Sequence, residues 1–246
     1  MKRTFSKFTA TMAVFVSAPA FAGPYEDFFQ AAPANIFTEV MPATSPPKIY
    51  VSNNLDADLR RWLEDGYLVV GSSSFVGGYT EPKKAIGKAK KLKAEIILYS
   101  SNFVETRSGG AMIMPMAMGV PGALAVPLSV NRYAQTAVFL SKLQPGKIGL
   151  GFRYRYLEPN EIQSAGTNRA VAVVYTIRNS PAFNADILPG DIILSVGGVP
   201  ITDEDGWSRL KAEMAGKLVS MELIRSGQAK TLQIKLPAAP DANKDQ

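Results

Sequence analysis

The chain contains no cysteine and no histidine among its 246 residues. Disulfides, thiolate nucleophiles, zinc sites of the usual Cys/His type and every Ser-His-Asp triad are therefore excluded within this sequence. With 46% hydrophobic and 20% charged residues, the composition is that of a globular protein rather than of a disordered chain or a membrane bundle. The length corresponds to roughly one or two domains.

Residues 1–22 have the pattern of a secretory signal peptide. Basic residues precede an apolar run at 10–16, which is too short to cross a membrane, and residues 20–22 read A-F-A, a typical cleavage site. Without this segment, 24 basic residues face 21 acidic ones, and the net charge falls from +6 to +3, so nucleic acid is not an expected partner. We expect a periplasmic protein that needs no oxidative folding. The alternative is an uncleaved N-terminal anchor.

Residues 23–47 are interpreted as a linker or arm, and residues 48–144 as a small module of alternating strands and helices. Apolar spacing predicts strands at 48–52, 67–75 and 95–100 and helices at 55–63 and 82–93. This order favours an α+β layer.

Two features of this module resemble catalytic or nucleotide sites only superficially. The serines at 72–74 could supply a nucleophile with a lysine as base, but nothing in the sequence sets that geometry. The lysine-rich helix lacks the G-x-x-x-x-G-K-[ST] pattern, so its lysines are interpreted as a solvated face. A Ser/Lys hydrolase remains a minor alternative.

A methionine-rich stretch, residues 111–130, lies between two predicted strands. Its prolines argue against a membrane helix and favour the tip of a long β-hairpin arm. Three interpretations stay open: the tip packs on its own domain, it contacts a partner, a second copy or lipid, or it captures a soft metal such as Cu(I). Its methionines recur at every second position, at Met112, Met114, Met116 and Met118.

Short stretches of this module are similar to the N-terminal part of a group of exported bacterial proteins. The similarity rests on residues 66–75, 85–89, 94–100 and 131–139. In that group the module precedes a PDZ domain, and the resemblance implies no activity.

The second region, residues 146–237, carries more specific motifs. Residues 149–152 read G-L-G-F, and residues 180–201 read S-P-A-F-N-A-D-I-L-P-G-D-I-I-L-S-V-G-G-V-P-I. Both resemble bacterial PDZ modules such as those of the high-temperature-requirement proteases. The chain departs from them at Asp186 and Gly197, where those modules have Gly and Asp or Asn. The resemblance implies a partly open β-barrel with two helices, and with the first module an α+β protein.

The expected site is a peptide groove beside the G-L-G-F loop. The glycines let the amides of Leu150, Gly151 and Phe152 form a nest for a carboxylate, and the strand from Phe152 offers a free edge to an extended peptide. An insertion at 157–166 is expected to cap the groove in part. The remaining groove residues are predicted to be Arg153, Tyr154, Trp207, Leu210, Lys211 and Met214.

These observations predict a noncatalytic periplasmic protein that binds the C-terminus or an exposed strand of another envelope protein. No catalytic residue, cofactor or metal site is expected, and after the PDZ pattern we expect only a polar tail, residues 238–246, and no protease domain. The alternatives are an assembly or oligomerisation factor acting through the methionine-rich arm, with membrane contact at its tip, and a soft-metal-binding protein.

Overall fold

The computed structural model describes residues 23–115, 123–202 and 204–238. The predicted signal peptide, Met116, Met118 and residues 239–246 lie outside the described residues. Met114 is described by its backbone alone. Every helix in the described part of the chain is too short or too polar for a transmembrane span.

The N-terminal module is one mixed sheet with helices on both faces. Its strands lie in the order β1-β3-β5-β4-β2, with β2 parallel to β4 and the other pairs antiparallel. The α+β class expected from the sequence is confirmed. In chain order the elements are α1 (Pro24–Asp27), β1 (Phe29–Ala31), α2 (Ala34–Phe37), β2 (Lys48–Val51), α3 (Leu55–Glu64), β3 (Tyr67–Gly77), a 3₁₀ turn (Pro82–Ala85), α4 (Ile86–Leu92), β4 (Ile96–Pro115) and β5 (Ala123–Lys142).

Alternating side chains bury both faces of this sheet. On β4, Ile97 belongs to the cluster under α4, whereas Leu98 belongs to the cluster under α3, because successive side chains of a strand point to opposite faces. Helix α3 begins at Asn54, whose side-chain oxygen accepts a hydrogen bond from the amide of Ala57. The apolar face of α3 then covers its side of the sheet.

Residues 23–47 run along the sheet, and we call them the N-terminal strap. Strand β1 extends the sheet beside β3, and the buried Tyr25 donates its hydroxyl to the carbonyl of Thr80. A Cβ at Gly71 would overlap the ring of Phe29. Glycine is therefore what lets the strap lie this close to β3.

Strands β4 and β5 form the long hairpin that the sequence predicts. They pair as far as Pro115 and Ala123, whereas β3 accompanies β5 only as far as Tyr133. Beyond that point, residues 104–115 and 123–132 form a two-stranded ribbon, which we call the outer hairpin. Within the described residues, neither of its edges pairs with another strand.

The C-terminal half is a second, antiparallel sheet. Its strands lie in the order β11-β10-β8-β7-β6, and β9 pairs with β8. The buried core includes Val173, Ile193, Met221 and Ile234. In chain order the elements are β6 (Phe152–Tyr156), α5 (Pro159–Ala165), β7 (Val171–Thr176), α6 (Pro181–Asn184), β8 (Ile192–Val196), β9 (Val199–Pro200), α7 (Glu204–Glu213), β10 (Leu218–Arg225) and β11 (Gln228–Lys235).

The two halves share a contact surface. Ile148, Tyr175 and Ile177 of the second half pack against the buried cluster of the first. Arg178 donates its backbone amide to the carbonyl of Glu64 at 2.7 Å and ion-pairs with the same residue through its side chain. The loop after β7 is therefore anchored in the N-terminal module.

Candidate functional site

A groove of about 570 Å³ lies between β6 and α7. Of the sequence-predicted residues, Gly149, Leu150, Phe152, Arg153 and Tyr154 line it. The other lining residues come from the preceding loop, from α7 and its approach, and from the segment after β11: Gly146, Lys147, Ile148, Ile201, Ser208, Ala212, Leu236, Pro237 and Ala238.

The loop at residues 149–152 has a backbone shape that glycine adopts readily. Gly149 has φ +60° and Gly151 has φ +81°, both in the left-handed region. The expected nest of three amides is corrected at one position, because the amide of Gly151 donates to the carbonyl of Ile148 at 3.0 Å. The amide of Leu150 meets no acceptor within the described residues.

Gly151 is also required by its neighbour. An added Cβ would overlap the side chain of Ser180, whose hydroxyl donates to the carbonyl of Gly151 at 3.2 Å. The same hydroxyl accepts from the amide of Phe183 and so begins α6. Ser180 therefore holds the loop against the start of a helix.

The backbone of Phe152 faces the open edge of β6. The amide of Ile177 donates to the carbonyl of Gly151 at 2.7 Å, so the next pair, Phe152 opposite Thr176, is a non-hydrogen-bonded pair of the antiparallel ladder. The N–H and C=O groups of Phe152 then point away from β7. Since β6 ends the sheet, both groups are available to an added strand.

The helix wall differs from the sequence prediction. Leu210 is 5% exposed and belongs to the core cluster, with Met214 packed against the same cluster. Ser208 and Ala212, on the opposite side of α7, line the groove instead. Leu210 and Met214 therefore face the core of the second half, and this corrects the expectation that these two side chains wall the groove.

Two further predicted wall residues remain predictions. Trp207 and Lys211 lie in α7 by their backbone, and their side chains are outside the described part of the chain. The groove's small residues, Ser208 and Ala212, were missed because polar and small side chains at i, i+4 give no apolar signal.

The charges at the groove mouth are basic, with one acidic neighbour. Lys147 and Arg153 line the groove, and Arg153 Nη2 lies 2.8 Å from Glu39 Oε2 of the N-terminal strap. Burial raises the pKa of Tyr175, the residue opposite Arg153, and the nearby guanidinium lowers it in part. The sequence carries no local signal for the contact with Glu39.

Helix α5, expected to cap the groove in part, packs elsewhere. Ile162 lies in a separate cluster with Ala172 and Leu194, and no described residue of α5 lines the groove. The Arg155 guanidinium and the amide of Glu158 hold the pKa of Glu161 at about 2. This contact fixes α5 to the far end of β6.

Both departures from the family pattern lie at positions with a left-handed backbone. Asp186 has φ +60°, and its carboxylate accepts from Arg225 at 3.0 Å. Arg225 also contacts Asp191, which is 1% exposed. Gly197 has φ +58°, and a Cβ there would meet Leu210 Cδ1 at 2.8 Å.

Two of the three serines considered as nucleophiles have structural hydrogen-bond partners. Ser73 is buried and donates to the carbonyl of Tyr25, and Ser74 pairs with Thr136 across the β3–β5 ladder. Met112 is exposed at the outer hairpin. Among the described residues, no lysine contacts the serines at 72–74 as a base would.

Comparison with known proteins decides the identity of the second half. A family model described as "PDZ domain" matches residues 146–236. Residues 146–236 form a PDZ domain. Its boundaries coincide with the second sheet and with the glycine loop, so the groove described above is the groove of a PDZ domain.

Curated relatives are bacterial proteins named probable periplasmic serine endoprotease DegP-like. The chain is 26% identical over 170 residues to one from Pseudomonas putida strain GB-1, covering 67% of this chain and 33% of the relative. It is 28% identical over 167 residues to one from Pseudomonas fluorescens, again covering 67% and 33%. The chain thus spans about a third of the length of these relatives.

The solved structures similar to this chain include two with a bound peptide or ligand. The HtrA-type protease AlgW with a decapeptide has 21% identity and a TM-score of 0.31, covering 42% of this chain and 37% of that one. The HtrA3 PDZ domain bound to a phage-derived ligand has 23% identity and a TM-score of 0.29, covering 35% and 81%.

Proposed function

We propose that this protein is a noncatalytic periplasmic binding protein whose PDZ domain captures the C-terminus or an exposed strand of another envelope protein. The proposal rests on three features that lie next to each other: the open edge of β6, the left-handed glycine loop and the apolar groove beneath α7. An extended peptide can add to such an edge through its backbone while the groove accepts its terminal side chain.

The chemistry of the groove supports binding rather than catalysis. Its lining offers apolar side chains and the cation of Lys147, which attracts a terminal carboxylate. The chain contains no histidine, so within this sequence a histidine-dependent protease mechanism has no general base. The names of the curated relatives and the pattern of residues 1–22 support the proposed periplasmic location.

A library of ten-residue peptides with free C-termini, followed by titration of the hits, tests this proposal. We expect binding that is lost when the terminal carboxylate is amidated. The variant Ala212→Trp should abolish binding because it fills the groove, and Glu213→Trp, one position further round α7, is the matched control. The proposal would be overturned if the library gave no hit, or if the hits bound equally well after amidation and equally well to Ala212→Trp.

The outer hairpin supports a second candidate, an assembly role. Val104, Val130 and Met112 are exposed there without other strands beside them, and exposed apolar patches often mark interfaces. A chain lacking residues 111–128 that keeps both the peptide affinity and the oligomeric state of the wild type would rule this role out.

A further inference from the structure

The edge strand of the groove has two faces that look toward different parts of the protein. Arg153 lies opposite Tyr175 in the ladder, so their side chains share a face, and Tyr175 packs into the cluster of the N-terminal module. Phe152 lies opposite Thr176, whose hydroxyl donates to the carbonyl of Ile187 inside the PDZ domain. Phe152 therefore presents an apolar side chain to the groove, whereas the side chain of Arg153 lies on the opposite face of β6.

A peptide added to this edge divides its side chains between the two faces. Successive residues of a strand point to opposite sides. If the last side chain enters the groove beside Leu150 and Phe152, the penultimate side chain lies on the face of Arg153. The ionic groups at that position then act on the penultimate residue.

On that face the N-terminal strap supplies an acidic partner. Glu39 Oε2 lies 2.8 Å from Arg153 Nη2, and the two side chains are 24% and 38% exposed. The backbone of the strap is held in place, because the amide of Gln144 donates to the carbonyl of Glu39 at 2.9 Å, and the Gln144 side chain donates to the carbonyl of Val40. The backbone that carries the Glu39 carboxylate is thus fixed beside Arg153.

We propose that Glu39 is a specificity-determining residue of the PDZ groove, supplied by the N-terminal module. Its carboxylate neutralises Arg153 and removes the preference for an acidic penultimate residue that the guanidinium alone would impose. The intact pair therefore favours peptides whose penultimate side chain is uncharged. This inference rests on the proposed peptide binding and adds to it a residue outside the PDZ domain.

The test uses the full chain and three fluorescent decapeptides with a free carboxylate. All end in valine and differ only in the preceding residue, which is glutamine, glutamate or lysine. For the wild type we expect the glutamate and lysine peptides to bind within about twofold of each other and the glutamine peptide to bind best. For Glu39→Gln we expect the glutamate peptide to gain about threefold to tenfold over the lysine peptide, and for Arg153→Gln the reverse.

A matched control separates this effect from general loss of charge at the contact between the halves. Glu64→Gln removes a carboxylate that pairs with Arg178 in that contact but does not line the groove, and the ratio of the peptides should not change. The double variant Glu39→Gln with Arg153→Gln should return the glutamate-to-lysine ratio to about one. Urea unfolding of each variant shows that the fold is retained.

The outcomes distinguish the two proposals. If none of the three peptides binds any variant and the library yields no hit, peptide binding itself fails. If the peptides bind but Glu39→Gln and Arg153→Gln leave the glutamate-to-lysine ratio at the wild-type value, peptide binding stands and the role of Glu39 is overturned.

Discussion

The edge of β6 and the edges of the outer hairpin are both unpaired strand edges, but their surroundings differ. Beside β6 lie a glycine loop, a helix and a groove of about 570 Å³. The outer hairpin, within the described residues, pairs with no other strand. An open edge alone can pair with any strand, whereas under the proposed function we expect the groove beside β6 to limit the partner to a chain that fits it.

One strand, β5, shows a similar contrast between an enclosed part and an exposed part. The inner part of β5 is buried between α3 and α4, and Phe139 is fully buried. The outer part of β5 is exposed, with Val130 at 47%. A two-stranded ribbon is at best marginally stable by itself, so the inner hairpin carries the stability that holds the outer hairpin in place.

The largest expected effect tests this division. Phe139→Ala should lower the free energy of unfolding by about 3–5 kcal/mol, because it opens a cavity in a packed core. Val130→Ala, in the same strand, should change it by less than about 0.5 kcal/mol. Urea unfolding measures both, and a similar loss for the two variants would show that the outer hairpin is part of the folded core.

An effect of intermediate size is expected where β1 covers the edge of β3. Gly71→Ala places a Cβ where the ring of Phe29 lies, so β1 must move away from β3, and overpacking of this kind costs about 1–3 kcal/mol. Gly77→Ala is the matched control in the same strand, since a Cβ there meets nothing within 4 Å. Hydrogen exchange at residues 71–73 should rise in the first variant alone; equal protection in both would contradict the role assigned to Gly71.

The smallest expected effect on stability concerns the Arg155–Glu161 ion pair, which fixes α5 to the far end of β6. Glu161 has a pKa of about 2 in the fold, below its usual 4.5, so it contributes stability above about pH 4.5 that is lost as the pH falls toward 2. Because the ion pair is at the surface, Glu161→Gln should cost about 1 kcal/mol or less near pH 7. Chemical unfolding at both pH values should show this difference disappearing at about pH 2.

The control for this prediction is Glu213→Gln on α7, which should unfold like the wild type at both values. A difference between Glu161→Gln and the wild type that stayed constant down to pH 2 would mean that charge is not its source.

Part of this architecture was predictable because it depends on short-range patterns. The glycines at 149 and 151 predict a loop of exposed amides, and a proline-rich stretch between two strand-like runs predicts a long hairpin. The wall of the groove was not predictable in this way. Apolar spacing in α7 suggested Leu210 and Met214 as groove residues, but both pack on the core. Ser208 and Ala212 could be assigned to the groove only from the packed structure.

The sequence by itself determined the α+β fold class, the PDZ loop and the absence of histidine and cysteine chemistry. Each of these depends on residue identity or on neighbours a few positions apart. Only the tertiary structure decided that the strap belongs to the sheet and that Glu39 meets Arg153. Those two residues are 114 positions apart, and no local periodicity records a contact made by packing one half of a protein against the other.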